Sequence, residues 1–137
     1  MSAVLLDTGP LVAYLNTNDQ HHAWAIKQFQ ALEEPLLTCE AVWTEAAYLV
    51  ARRGGKPEAL WPVLRGGAVQ LAFSLRTDYE SVAALMRRYA DIPMSLADAC
   101  LVRMSELKAE CQVFTTDSHF RFYRRFGRQV IPLVSPR

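Results

Sequence analysis

Short apolar runs recur along the chain, AVLL, PLLT, VQLAF, VFTT and VIPL, and the stretches between them carry helical patterns. This alternation constrains the fold more than any other feature. A run that is apolar at successive positions, rather than at every second one, suits a strand covered on both faces. Helices that connect parallel strands supply such cover, so strands alternating with helices predict an α/β sheet. Strands are expected over residues 3–6, 36–38, 69–73, 113–116 and 130–133.

The helix signals fall between these runs. Gly9 and Pro10 allow a helix to begin directly after the first strand. Residues 21–33 place Trp24, Ile26, Phe29 and Leu32 near helical spacing and end before Pro35. Residues 40–53 read as a mostly apolar helix stopped by Gly54 and Gly55, and Pro57 suits the first turn of another ending at Gly66. The segment TDYE, residues 77–80, has capping-box spacing and opens a helix to Tyr89; Ser95 caps the next, which runs to about Glu110. A short basic helix is expected over residues 118–126. The expected whole is one domain over residues 1–137, a three-layer α/β/α fold on a mostly parallel central sheet of about five short strands.

Composition narrows the class. Hydrophobic residues make up 51% and charged residues 21%, which excludes disordered and collagen-like chains. No apolar run approaches the roughly 18 residues needed to span a bilayer, and MSAVLLDTG has no basic segment before Asp7. A soluble cytoplasmic protein with no membrane association is expected. Cys39, Cys100 and Cys111 are widely spaced and form no CxxC pair, so buried reduced thiols are expected. Net charge is only +1, yet after Asp117 the chain carries Arg121, Arg124, Arg125, Arg128 and Arg137 and no acid. Guanidinium groups present paired donors to phosphate oxygens, so Arg121, Arg124 and Arg125 are candidates for binding phosphate groups; a solvated helix face is the alternative.

Four acids stand in or against apolar stretches: Asp7 ends VLLD, Glu45 interrupts AVWTEAAYLV, Asp98 follows SLA, and Asp117 closes VFTTD. A buried carboxylate is costly unless something compensates it. Open parallel sheets place their sites outside the carboxyl ends of the strands, where Asp7 and Asp117 are expected. Glu45 and Asp98 lie in the first turns of helices that start on that edge. Each acid also has a plainer explanation. Asp7 suits the turn DTGP, Asp98 the fourth place of a capping box from Ser95, Asp117 a helix cap, and Glu45 an exposed stripe with Tyr48 and Arg52. Those explanations leave unexplained why all four fall on one edge. Four carboxylates there would repel unless a cation sat between them, and oxygen-only ligands favour Mg²⁺ or Mn²⁺.

The segments DTGPLVA, AVWTEAAYLV, DIPMSLADACLV and VFTTDSHF, in this order, resemble the PIN-domain ribonucleases, particularly the VapC-like toxins of bacterial toxin-antitoxin pairs. The resemblance covers nearly the whole chain. It implies a Mg²⁺- or Mn²⁺-dependent endoribonuclease in which a metal-activated water cleaves the phosphodiester, leaving a 5′-phosphate and a 3′-hydroxyl. The family's acidic ligands fall on Asp7, Glu45, Asp98 and Asp117, with Glu45 a ligand or the group that orients the water. Thr8 and Thr115 fall at supporting polar positions. His119 departs from the further acid that many relatives carry there, which leaves one or two metal ions open. The resemblance also implies an RNA substrate, a cognate antitoxin and a homodimer, the last supported by apolar helices bearing Trp24 or Trp61.

Other residues carry less. His21 and His22 lack partners at ligand spacing and are left outside the site. Trp24, Phe29, Trp43, Tyr48 and Trp61 read as core or dimer surface rather than a base-stacking platform. LLDTG also resembles the motif of retroviral-type aspartic proteases, but those are all-β, and EAVWTEAAYLVARR is helical. A PIN-like module that binds RNA or protein without cutting is the closer rival. Against it stands the acid set, which repels phosphate.

Overall fold

The computed structural model describes residues 2–136. Its centre is β1, Ala3–Leu6, an apolar strand that ends at Asp7. Asp7 caps α1, Thr8–Leu15, by accepting a hydrogen bond from the Thr8 N–H. The chain continues through α2 (His22–Ala31), β2 (Leu36–Thr38), α3 (Glu40–Arg52), a 3-10 turn (Pro57–Ala59), α4 (Leu60–Arg65) and β3 (Val69–Leu71). It then runs through α5 (Leu75–Arg88), α6 (Leu96–Leu107), β4 (Cys111–Phe114) and a second 3-10 turn (Ser118–Arg121). Three two-residue strands close it: β5 (Arg124–Arg125), β6 (Gln129–Val130) and β7 (Leu133–Val134).

The main sheet has five strands in the order β3-β2-β1-β4-β7, all parallel. Successive residues of β1 point to opposite faces. Leu5 joins a core with Val82 and Leu85 of α5 and Leu101 of α6, while Val4 and Leu6 join another with Leu11, Trp43 and Leu60. These two cores make the three layers. From β1 the chain moves outward to β2 and β3 on one side, then returns to β4 on the other. The order reverses between β1 and β4, and at such a point the loops leaving the strands diverge and open a crevice.

An all-β protease-like architecture is excluded by this parallel sheet and its helices. The three cysteines are buried free thiols. No helix among the described residues is long and apolar enough to cross a membrane.

The C-terminal third departs from the sequence expectation. Residues 118–126 form no continuous helix; the 3-10 turn gives way at Phe122, and β5 and β6 pair as an antiparallel hairpin. Phe126 (φ 54°) and Gly127 (φ 81°) both adopt left-handed backbone at its tip, which no right-handed helix accommodates. The strand expected over 130–133 is split, with Gln129–Val130 in the hairpin and Leu133–Val134 in the main sheet. Pro132 lies between them and its carbonyl accepts from Val113 N. Helix α5 begins at Leu75, ahead of TDYE, because the Ser74 hydroxyl accepts from Thr77 N at 3.2 Å.

Arg125 requires a correction. It is 3% exposed, and its guanidinium donates to the carbonyls of Ser105 and, at 2.6 Å, Lys108. It satisfies carbonyls at the C-terminal end of α6, where a cation also meets the favourable end of the helix dipole. Buried there, it offers nothing to RNA. Arg121 is exposed and Arg124 half-buried, while Arg137 lies outside the described residues.

Candidate active site

Asp7, Glu45, Asp98 and Asp117 line one cleft of about 350 Å³ at the carboxyl edge of the sheet, together with Thr8, Ser95 and His119. Four elements deliver them. Asp7 follows β1, Asp117 follows β4, Glu45 lies on α3 and Asp98 in the first turn of α6. A close approach fixes the first two. A Cβ on Gly9 would lie 2.0 Å from Thr116 Oγ1, so a side chain there would push Thr116 aside where the loop after β4 closes on the start of α1.

Each carboxylate is held by protein donors. Asp7 accepts from Thr8 N and from the Thr115 hydroxyl, both at 2.7 Å. The same Thr115 oxygen accepts from Asp117 N at 2.9 Å, tying the two acids together. The Thr8 hydroxyl donates to Glu45 Oε1 at 2.5 Å. Asp98 Oδ2 accepts from Tyr123 OH at 2.9 Å and from Ser95 N at 3.4 Å, while Asp98 N donates to Ser95 Oγ at 3.0 Å. Asp117 Oδ1 accepts from His119 N at 2.9 Å, with His119 Nδ1 at 3.2 Å.

The electrostatics are those of acids without cations. Burial pushes the Asp7 carboxyl up to about 7, against the Thr115 hydrogen bond that lowers it, and the charges of Asp98 and Asp117 raise it further. Burial also raises Asp98, opposed by the Tyr123 hydrogen bond and reinforced by Asp117. Tyr123 is raised as well, by burial first and then by Asp98. Among the described residues, neither arginine nor lysine lines the cleft.

The donor chemistry fits a hard divalent cation: carboxylate and hydroxyl oxygens, unbalanced negative charge and space for water. The spacing qualifies this. Among the described residues, no three His, Cys, Asp or Glu side chains are grouped closely enough to hold one ion. Magnesium keeps several of its waters, so one or two direct carboxylates with the others reached through water would meet both facts.

Thus the structure brings together Asp7, Glu45, Asp98, Asp117, Thr8, Thr115 and His119 around one cleft or its immediate supports. Arg125 does not belong there. Sequence reasoning missed Tyr123, whose place between arginines gives no hint that its hydroxyl reaches Asp98, and Gly9, read only as a chain breaker. His22 lies elsewhere, its Nδ1 2.7 Å from Ala13 O. Trp24 and Phe29 pack on Phe114, and Trp43 is buried, whereas Tyr48 and Trp61 are exposed. A larger groove, about 870 Å³ and lined by Tyr14, Phe29, Leu32 and Val63, holds none of the four clustered acids.

Residues 4–125 match the PIN domain family. Over 128 residues the chain is 30% identical to Ribonuclease VapC26 of Mycobacterium tuberculosis, covering 90% of this chain and 94% of that protein. Its fold is similar to the crystal structure of VapC20 from Mycobacterium tuberculosis, a sarcin-ricin-loop-cleaving toxin, with a TM-score of 0.73. That match spans 85% of this chain and 91% of the other at 22% identity, a likeness of fold alone.

Proposed function

Because this chain belongs to the PIN-domain family, we infer that it is an endoribonuclease of the VapC kind, the toxin of a type II toxin-antitoxin pair. The observation that carries the reading is the convergence of Asp7, Glu45, Asp98 and Asp117 from four elements on one cleft that no arginine or lysine among the described residues lines. A binding-only module is the reading favoured by the separation of these carboxylates. Against it stands their charge, since unneutralised acids repel the phosphodiester that such a module would have to hold.

In the mechanism we propose, Asp7, Asp98 and Asp117 would hold Mg²⁺ or Mn²⁺ directly or through its waters. Such a cation would supply positive charge against the charge that builds on the phosphodiester and would lower the pKa of a water. Thr8 and Thr115 fix the orientation of Asp7 through its two oxygens. Glu45, with Oε1 tied to the Thr8 hydroxyl, uses Oε2 to orient the water and accept its proton. The products carry a 5′-phosphate and a 3′-hydroxyl. Arg121 and Arg124 contact RNA phosphates beyond the cleft. A cognate antitoxin blocks the site, and the toxin works in the cytoplasm as a homodimer of one-domain chains.

The test is cleavage of single-stranded RNA by purified protein in Mg²⁺, in Mn²⁺ and in excess EDTA. Cleavage with either cation and none with chelator is expected. Undiminished cleavage in EDTA, with a contaminating nuclease excluded by an Asp7→Asn preparation, overturns the metal-dependent mechanism. RNA binding without cleavage under any condition supports the binding-only module.

A further inference from the structure

Tyr123 is 0% exposed, yet its hydroxyl ends at the cleft, 2.9 Å from Asp98 Oδ2. Its ring is clamped on two sides: Tyr89 meets it edge-on at 5.2 Å between centroids and Phe120 at 5.1 Å. The rings do the clamping; the Tyr89 hydroxyl is used separately, accepting from Arg124 N at 2.9 Å, and Arg88 donates to Gly127 O at 2.5 Å. A side chain held from so many directions has little freedom to turn, so its hydroxyl is a fixed point.

We propose that Tyr123 is a positioning residue that holds Asp98 Oδ2 and so presents Asp98 Oδ1 to the cleft. Both protein hydrogen bonds to this carboxylate, from Tyr123 OH and Ser95 N, end on Oδ2. Among the described residues, the buried side-chain nitrogen and oxygen atoms without a partner are Trp43 Nε1 and Arg125 Nε. Asp98 Oδ1 makes no hydrogen bond with the described residues and is not among these atoms, so it reaches solvent, and the solvent beside Asp98 is the cleft. Ser95 N alone, at 3.4 Å, is too long to fix the rotamer. The tyrosine hydroxyl is the stronger restraint. It also couples the carboxylate to the arginine-bearing hairpin, because one aromatic clamp holds both.

The inference rests on the reading of the cleft as a cation-dependent nuclease site. Its test uses the full chain as wild type, Tyr123→Phe and Tyr89→Phe. Each is titrated with MgCl₂ and with MnCl₂ while melting temperature and RNA cleavage are followed. Tyr123→Phe keeps the ring in its slot and leaves Ser95 N on Asp98, so the fold is retained. The expected result is that half-saturation by the cation, read from the melting shift and again from cleavage, rises about tenfold in Tyr123→Phe. Cleavage at saturating cation should return to near the wild-type rate. Tyr89→Phe keeps the ring that packs on Tyr123 and loses only the bond from Arg124 N, so its cation half-saturation, read from the melting shift, should stay at the wild-type value. An unchanged half-saturation in Tyr123→Phe, or an equal rise in both variants, overturns the positioning role and leaves only packing. A wild-type protein that neither cleaves RNA nor shifts its melting temperature with either cation overturns the nuclease reading, and this inference with it.

Discussion

Asp7 and Asp117 cap a helix and a helical turn, and Asp98 completes the capping box of α6, as well as lining the cleft. Capping and a place in the cleft, rival explanations at the level of sequence, are compatible, since the same three acids do both. Backbone N–H groups at a helix start take part of the carboxylate, and the positive end of the dipole offsets some of its charge. Asp98→Ala should therefore cost about 1 kcal/mol of metal-free stability through the lost cap and also abolish cleavage; retained cleavage would leave Asp98 a cap alone. Glu45→Gln separates the two roles open to Glu45. If Glu45 accepts the proton, kcat falls by about two orders of magnitude while the Mg²⁺ concentration for half-maximal rate stays within about twofold. A shifted half-saturation with recovery at high Mg²⁺ would make it a ligand instead.

The hairpin of β5 and β6 divides the arginines that the sequence groups together. Arg121 is exposed, whereas Arg125 supports the end of α6. Neutralising Arg121 and Arg124 to glutamine should flatten the slope of log affinity for RNA against log salt by about 1.4, at about 0.7 per single-strand phosphate contact. Arg125→Ala should leave that slope unchanged and cost about 2 to 4 kcal/mol in a denaturant melt, because buried carbonyls lose their partner. The reverse pattern would place Arg125 on the RNA surface. This is also where the sequence was least legible. Strands β1 and β2 and helix α3 carry their structure in local apolar patterns, and Asp7 after β1 and Glu45 within α3 could be placed by topology. In residues 118–126, Phe120 and Tyr123 are three apart and mimic a helix face, while the deciding features are the left-handed turn at Phe126 and a long-range bond from Arg125 to α6. Tyr123 was illegible for the same reason: its contact with Asp98 joins elements that no local pattern connects.

At the scale of the molecule, the burial of Asp7 beside Asp98 and Asp117 ties stability to pH. Asp7 releases its proton near its ordinary value of 3.8 when unfolded and at about 7 in the folded protein. Between these values the folded chain holds a proton that the unfolded chain has lost. Without metal, the contribution of this group to stability is therefore fully present below 3.8 and is lost as pH rises through 7. Each unit of the shift corresponds to about 1.4 kcal/mol, so the group matters on the scale of a marginally stable fold. Metal-free wild type should melt lower at pH 8 than at pH 5.5, and Asp7→Asn should lose most of that difference. Added Mg²⁺ opposes the repulsion only where the carboxylates are ionised. At ten times its dissociation constant it should stabilise wild type at pH 8 by about 1.4 kcal/mol and do little at pH 5.5. Asp7→Asn and Asp98→Asn should melt as high as metal-free wild type, or higher, at pH 8 and gain much less from Mg²⁺. Equal Mg²⁺ shifts in all three proteins, measured by calorimetry at both pH values, would remove these aspartates from the cation site and the proposed mechanism with them.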